Sequence, residues 1–313
     1  MNFPVFDLHC DTATALYDGK LSIADAPLCV SLEKARCFTK YYQAMAIFTS
    51  TRFSDDEGWR RFFAVREKLL WECAMYRIPW LRDRGDVNRF RESDRRIAFV
   101  LTVEDGRILD GKIDRVQTLF DAGVRILTPL WGGETCIGGS HQSDKGLSDF
   151  GRAAVRECFR LGIAVDLSHA SEKSTDEILD MAEETGGKVL ATHSNAHAVC
   201  AHTRNLTDDR IRRLAALDGV IGINLYTAFL KPDGPWTIAD MLPHIDHIAS
   251  LVGTKHIAIG ADWDGAEFPP DCTSIADIPH AAHVLKEHGY SESDTDGIFC
   301  DNAVRFLTES LPR

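Results

Sequence analysis

The sequence lacks the features of several protein classes. It has few basic residues, 35 Lys and Arg against 47 Asp and Glu, for a formal net charge of −12, whereas a nucleic-acid surface needs a basic stripe. No apolar run approaches the roughly 18 residues of a membrane span. The first residues contain neither a basic region nor a signal-peptide core. We therefore expect a cytoplasmic protein that binds neither nucleic acid nor a membrane.

The sequence also lacks paired cysteines. Its nine cysteines are an odd number and are scattered without any Cys-x-x-Cys pair. Reduced cytoplasmic thiols show this pattern, whereas disulfide frameworks and thiolate zinc sites have regular spacings. The cysteines are therefore predicted to be small core residues. One of them, Cys10, is predicted to point into the core because side chains alternate along a strand.

Eight short apolar segments, most followed by a helical pattern, run along the chain. They cover residues 3–9, 44–50, 96–104, 124–130, 163–167, 188–193, 219–226 and 256–262. Eight strands close a parallel barrel, so we predict a single α/β domain over residues 1–313. Its fold would be a (β/α)8 TIM-like barrel with loop insertions over the C-terminal rim. A doubly wound open sheet is the alternative, but the regular strand order and the absence of a G-x-G-x-x-G turn count against it.

Helical spacing of apolar residues predicts helices between and after these strands. The predicted helices cover residues 57–78, 112–122, 149–161, 172–182, 207–217, 237–252, 277–288 and 298–310. Pro243 is expected to bend the helix over residues 237–252. Residues 17–40 show no clear period and are predicted to form a loop or lid over the rim.

Histidines and carboxylates follow several of the predicted strands. At or just after strand ends stand His9, Asp11, Glu104, His169, His193, Asp262 and Asp264. In a parallel barrel these ends meet at the rim that carries the chemistry. One such residue is more often structural, but three imidazoles and several carboxylates in register predict a metal site. Zinc suits this donor set best, and manganese, cobalt and iron are alternatives.

The motifs around these residues resemble the membrane (renal-type) dipeptidase family of the amidohydrolase superfamily and its microbial relatives. The matching segments, in family order, are 7-DLHCDT-12, 103-VEDG-106, 166-DLSHAS-171, 192-THSNAHAV-199, 203-TRNLTDDRI-211, 260-GADWDG-265 and 302-NAVRFL-307. They span nearly the whole chain. The match is specific over residues 100–265 and poor over residues 13–95.

The resemblance implies a dipeptidase with two divalent metal ions, zinc being the best candidate, that share a hydroxide nucleophile. It implies that His9 and Asp11 hold one ion and that His169 and His193 hold the other. Glu104 would bridge the two ions.

The resemblance also assigns roles in catalysis and substrate binding. Asp262 would carry the proton from the attacking water to the leaving amine. Arg204 would pair with the terminal carboxylate of the substrate through a bidentate fork, and Tyr226 would line the pocket. Two structural alternatives stay open: Arg204 could cap its own loop, and Tyr226 could be a packing residue with a satisfied hydroxyl.

The remaining histidines are predicted to play no direct part. His197 and His202 follow His193 too closely to share its geometry, so they are expected beside the site or at the surface. Five others lie on predicted helices and are expected to be solvated: His244, His247, His280, His283 and His288.

Position 131 departs from the family pattern. Many members carry a histidine there, at the end of strand four, that contacts the reacting group, whereas this chain has Trp131. An indole N–H can only donate, so the metal alone or another group such as His141 would stabilise the oxyanion. We expect Trp131 to line the pocket and to favour small or flat substrate side chains.

The sequence thus predicts a metallo-dipeptidase that hydrolyses the amide bond of a small dipeptide-like substrate. Whether it forms a homodimer is left open. One alternative is a lactonase or phosphoesterase that uses the same metal pair. Another is a metal-binding homologue that has lost catalysis, with Trp131 blocking the pocket.

Overall fold

Eight parallel strands form one sheet that curls into a nearly closed barrel in the computed structural model, which describes residues 3–24 and 27–312. The strands are β1 (Val5–Cys10), β2 (Tyr41–Phe48), β3 (Ile97–Glu104), β4 (Val124–Thr128), β5 (Ala164–Asp166), β6 (Val189–Leu190), β7 (Ile221–Ile223) and β8 (Ile257–Ile259). Their order in the sheet is β6-β5-β4-β3-β2-β1-β8-β7. A parallel bridge between Ala191 and Ile221 joins the two ends. The predicted barrel is confirmed.

The strands are buried along nearly their whole length. All eight residues of β3 are buried, as expected for a parallel sheet that helices cover on the outside. Asp7 is one of two buried polar residues in β1, with His9. Its carboxylate accepts hydrogen bonds from the His9 and Ala261 backbone N–H groups (3.0 and 3.2 Å) and from the Gln43 amide (3.3 Å). These bonds join β1 to β2 and to the segment after β8.

Helices surround the barrel and include every predicted one. They are α1 (Thr12–Gly19), α2 (Asp55–Tyr76), α3 (Arg84–Glu92), α4 (Asp114–Asp121), α5 (Asp149–Leu161), α6 (Glu172–Thr185), α7 (Asp208–Ala216), α8 (Thr227–Leu230), α9 (Leu242–Val252), α10 (Ile278–Glu287), α11 (Glu292–Asp296) and α12 (Asn302–Ser310). The sequence interpretation missed α1, α3, α8 and α11. Within the described ranges, no helix combines the length and apolarity that crossing a bilayer requires.

The predicted bend at Pro243 is wrong. A 3₁₀ helix over Ile238–Met241 is followed by α9, and Pro243 lies in the first turn of α9. A proline is tolerated there because its missing N–H would have no partner within the helix.

The segment over residues 17–40 contains the end of α1 and a 3₁₀ turn over Lys34–Cys37. Residues 25 and 26 of this predicted loop lie outside the described residues. The segment is attached to the rim, because the Cys29 backbone N–H donates to Asp264 Oδ1 at 2.7 Å.

The prediction that five helix histidines are solvated is wrong for His244. This residue is fully buried on α9. Its Nδ1 accepts the Ala196 backbone N–H (3.2 Å), so its Nε2–H donates to the Leu230 carbonyl (2.8 Å). His247 is half-buried and lies 2.7 Å from Asp208. The other three histidines are exposed: His280, His283 and His288.

Candidate metal centre

Glu104 lies between three histidines at the C-terminal rim of the barrel. Its Oε2 is 3.3 Å from His9 Nε2. Its Oε1 is 2.9 Å from His169 Nε2 and 3.5 Å from His193 Nε2. One oxygen of this buried carboxylate therefore faces His9 and the other faces His169 and His193, while the His9 and His193 rings are themselves close, with centroids 3.9 Å apart.

Two aspartates lie on the His9 side of Glu104. His9 Nε2 is 3.9 Å from Asp11 Oδ2 and 3.7 Å from Asp262 Oδ1. Gly265 gives these carboxylates room, because a Cβ at position 265 would lie 2.1 Å from Asp11 Oδ2. We call the six residues at this rim the rim cluster: His9, Asp11, Glu104, His169, His193 and Asp262.

Turns directly after the strands aim two members of the rim cluster. His169 and Asp262 have φ values of +69° and +72°, a conformation that is uncommon for non-glycine residues. Asn224, after β7, donates its side-chain N–H to Asp262 Oδ2 at 3.2 Å. Asp262 is therefore held from both its backbone and its side chain.

Hydrogen bonding fixes the tautomer of His169. Its Nδ1 lies 3.2 Å from the Trp131 backbone carbonyl. A carbonyl can only accept, so Nδ1 carries the proton. In the neutral ring, Nε2 then presents its lone pair to Glu104.

His193 is oriented in the same way by a buried relay. The Thr192 hydroxyl donates to Asp166 Oδ2 at 2.6 Å, so it must accept from His193 Nδ1, which is 2.6 Å away. Asp166 also accepts the Thr128 hydroxyl at 2.7 Å. The His193 Nε2 lone pair is therefore directed into the rim cluster.

The donor atoms of the rim cluster suit a cation. The Nε2 atoms of His169 and His193 lie 2.9 Å apart, and with both lone pairs turned inward they repel unless a positive charge lies between them. His9 Nε2 and Asp11 Oδ1 are buried and have no hydrogen-bond partner among the described residues. Imidazole nitrogens and carboxylate oxygens are zinc ligands, so these residues fit divalent metal.

Burial and mutual charge set the protonation of the rim cluster. Burial lowers the pKa values of His169 and His193, which favours the neutral ring that binds metal. Burial alone would raise the pKa of Glu104, but the charge of the neighbouring His9 holds it below its usual value. Burial raises the pKa of Asp11 to about 7, and a nearby cation would favour its ionised form.

A cavity of about 510 Å³ opens above the rim cluster, a volume within the range of small-molecule sites. Its walls include the aromatic rings of Phe48, Trp131, Tyr226 and Phe229. His141 also lines it, with Nδ1 3.0 Å from the Thr203 hydroxyl. Burial first, and then the charge of Arg204, lower the pKa of His141 to about 3, so the ring is neutral at pH 7.

Arg204 brings a buried positive charge to the cavity wall. Its guanidinium donates to the His193 carbonyl at 3.2 Å and to Ser194 Oγ at 3.4 Å. Its Nε is buried and has no partner within the part of the chain that the structure describes. Burial lowers its pKa to about 10, so it stays charged at pH 7. No carboxylate of the described residues lies within ion-pair distance of it. Arg204 thus contacts its own loop, as the structural alternative expects, and also leaves a charge to pair with a bound anion.

One predicted rim residue, Asp264, lines the cavity but has both carboxylate oxygens bound outside the rim cluster. Asp264 accepts the Thr12 hydroxyl at 2.5 Å and the Cys29 N–H, so it anchors α1 and the following loop. His202 lies beside the site, where its Nδ1 accepts the Arg204 backbone N–H at 3.1 Å. Cys10 is fully buried, as predicted.

The sequence interpretation missed several residues that build the site. They are Phe48, Phe229, Asp166, Thr192 and Gly265. Asp166 carried a signal, since it is the one charged residue in a buried apolar run. Phe48 carried only its position at a strand end, which does not distinguish a cavity wall from core packing.

An eight-stranded parallel barrel with histidines and carboxylates converging at its C-terminal rim is typical of metal-dependent enzymes built on the TIM barrel. The particular family follows from comparison with known sequences. The pattern of the membrane dipeptidase family, peptidase family M19, matches residues 1–311, and the chain belongs to this family. Membership confirms the predicted hydrolase that acts on peptide bonds.

Individual relatives agree with the family. A curated relative, the uncharacterised protein in the pqqA 5′ region of Klebsiella pneumoniae, is 32% identical over 261 residues, covering 80% of this chain and 94% of the relative. The solved structure of dipeptidase AC has a TM-score of 0.90 at 27% identity, with 99% of each chain covered. A Rhodobacter sphaeroides metallopeptidase, liganded with a phosphinate mimic of the dipeptide L-Ala-D-Ala, has a TM-score of 0.89 at 26% identity, with 98% and 99% covered.

Proposed function

We propose that this protein is a dinuclear metal-dependent dipeptidase that hydrolyses the amide bond of small dipeptides. The observation that carries the proposal is the division of the Glu104 carboxylate. One oxygen faces His9 at 3.3 Å, and the other faces His169 at 2.9 Å. A shared carboxylate between two groups of donors is what two adjacent cations require.

Each proposed metal site combines residues from different strands. His9, Asp11 and Glu104 would hold one ion, and Glu104, His169 and His193 would hold the other. Zinc fits these nitrogen and oxygen donors. Two divalent cations bound there would lower the pKa of a shared water and polarise the carbonyl of the substrate.

Asp262 is the proposed proton carrier. Its Oδ1 faces the rim cluster, 3.7 Å from His9 Nε2, while Oδ2 accepts a hydrogen bond from Asn224 at 3.2 Å. One oxygen is thus fixed, and the other can take the proton of the attacking water. Returning that proton to the departing nitrogen would complete general acid–base catalysis.

Arg204 is proposed to bind the C-terminal carboxylate of the substrate. Its charge is buried at the cavity wall beside His193, and a planar guanidinium matches a carboxylate in a two-point contact. A similar structure liganded with a phosphinate mimic of the dipeptide L-Ala-D-Ala supports a ligand of dipeptide size.

The test compares a free dipeptide with the same dipeptide amidated at its C-terminus. We expect the amide to be a poor substrate and Arg204→Lys to lose most kcat/KM on the free peptide, because lysine lacks the planar fork. Arg212→Lys is the matched control, since Arg212 is a half-exposed surface residue on α7. Equal turnover of free and amidated peptides would replace the dipeptidase proposal with a broader amidase.

A further inference from the structure

Phe48 and Trp131 form an aromatic pair on one wall of the cavity. Their ring centroids are 4.9 Å apart and their planes are inclined by 54°. Both side chains are only partly buried and line the cavity. Their backbones are anchored: the Phe48 N–H donates to Thr14 Oγ1 of α1 at 3.1 Å, and the Trp131 carbonyl lies 3.2 Å from His169 Nδ1. The pair is thus a fixed surface beside the rim cluster.

Phe48 lies across the rim from Arg204, and Trp131 follows β4, two strands from β6. Phe48 ends β2, beside Glu104 in the register of β2 and β3. Arg204 is in the loop after β6, and β6 is four strands from β2 in a barrel of eight. A second pair, Tyr226 and Phe229 (centroids 4.7 Å apart), lies on the Arg204 side, where the guanidinium is 5.3 Å from the Phe229 ring.

The proposed binding mode fixes the direction of the substrate. Two extended residues span about 7 Å. With the substrate carboxylate on Arg204 and its amide carbonyl at the rim cluster, the N-terminal residue extends beyond the cluster toward β2 and β4. The Phe48–Trp131 pair is the apolar surface at that end.

On the basis of the proposed function, we infer that the Phe48–Trp131 pair binds the side chain of the substrate's N-terminal residue and selects planar aromatic side chains. Aromatic rings pack favourably edge-to-face or offset against other rings. The cavity of about 510 Å³ has room for such a ring. The sequence predicts small or flat substrate side chains next to Trp131. The aromatic pair favours the flat ones, at the N-terminal residue of the substrate.

Two peptide series test the inference. The first varies the N-terminal residue: L-Ala-D-Ala, L-Leu-D-Ala and L-Phe-D-Ala. The second varies the C-terminal residue: L-Ala-D-Leu and L-Ala-D-Phe. We expect kcat/KM for the N-terminal Phe peptide to exceed that for Ala by about ten- to hundredfold, since a buried aromatic side chain contributes on that scale. Leu should fall between them.

Substitutions locate the preference. Trp131→Ala and Phe48→Ala should each bring the N-terminal Phe/Ala ratio close to one and leave the ratios of the C-terminal series unchanged. Trp131→Phe should retain the preference. Trp71→Ala is the matched control, because Trp71 on α2 is 54% exposed and does not line the cavity.

A binding measurement separates contact from rate. Calorimetry with two phosphinate dipeptide mimics, one with a benzyl and one with a methyl group at the N-terminal position, should show tighter binding of the benzyl compound. That difference should vanish in Trp131→Ala at unchanged metal content.

The outcomes separate the inference from the function on which it rests. An unchanged N-terminal ratio in both alanine variants, or a shift in the C-terminal series instead, overturns the inference. Cleavage by the wild type with a Phe/Ala ratio near one overturns it also, while the dipeptidase proposal stands. Failure of the metal-loaded wild type to cleave any peptide overturns the proposed function itself.

Discussion

At the scale of single residues, the proposed metal site requires that the Nε2 atoms of His169 and His193 carry no proton. His169 and His193 each donate a hydrogen bond from Nδ1–H to a neighbouring oxygen, so both Nε2 lone pairs point at Glu104. Trp131 contributes to this through its backbone carbonyl, whatever its side chain. The Trp131 side chain therefore shapes the cavity wall, while its backbone carbonyl orients His169.

Asp262 gives a prediction at this scale. Asp262→Asn keeps the shape and the Asn224 neighbour but cannot accept a proton, so turnover should fall by about 10²–10⁴-fold with metal content retained. Steady-state kinetics with elemental analysis of the same preparation would measure both quantities. Full metal content with a near-normal rate would assign proton transfer to another group.

At the scale of elements, Asp166 joins three strands behind the metal centre. Its carboxylate, at the end of β5, accepts the hydroxyl of Thr128 on β4 and that of Thr192 after β6. Thr192 in turn orients His193. The relay therefore couples strand pairing to the geometry of one proposed ligand.

Asp166→Asn should weaken metal binding by about 10–100-fold, the usual effect of removing a partner that orients a ligand. The amide would place an N–H group against hydroxyl and backbone donors, so the free energy of unfolding should also fall. Zinc titration with a competing chelator measures the affinity. Asp149→Asn is the control, because its carboxylate on α5 is fully exposed. Equal zinc affinity in the two variants would show that the relay does not position His193.

His244 predicts a pH dependence of stability. Burial lowers its pKa, so below about pH 6.5 the unfolded chain binds a proton that the folded protein excludes, and stability falls as the pH drops. Among the charges near His244, His247 lowers its pKa and Asp240 raises it, and both effects are smaller than that of burial.

The check is the free energy of unfolding of metal-free protein between pH 7 and pH 5. His244→Gln should lose less stability over this range than the wild type does, and His280→Gln, at an exposed position of α10, should behave like the wild type. If the free energy of unfolding falls equally with pH in all three proteins, His244 does not cause the pH dependence.

The sequence predicted the strands and the rim residues because both follow from local rules. Buried parallel strands are apolar, and alternation alone sets His9 and Asp11 on the same side. Contacts that depend on three dimensions were not predictable. The Phe48–Trp131 pair joins residues 83 positions apart, and His244 lies on an amphipathic helix whose pattern does not reveal the carbonyl that its ring meets.

At the scale of the whole molecule, the barrel brings together residues that are far apart in the chain. The rim cluster draws on β1, β3, β5, β6 and β8, so its residues run from His9 to Asp262. Metal bound only by the folded chain would stabilise the entire barrel. Removing metal should therefore lower Tm as well as abolish activity. The single-domain organisation agrees with this arrangement and stays a prediction.

The most direct test of the proposed dinuclear centre is the number of metal ions in active protein. Elemental analysis of fully active wild type should give two ions per chain. Glu104→Gln should lose both, because the amide offers neither the charge nor the second carboxylate oxygen, whereas Glu287→Gln, at an exposed position of α10, should retain both. One ion or fewer per chain in a fully active preparation would contradict the dinuclear mechanism.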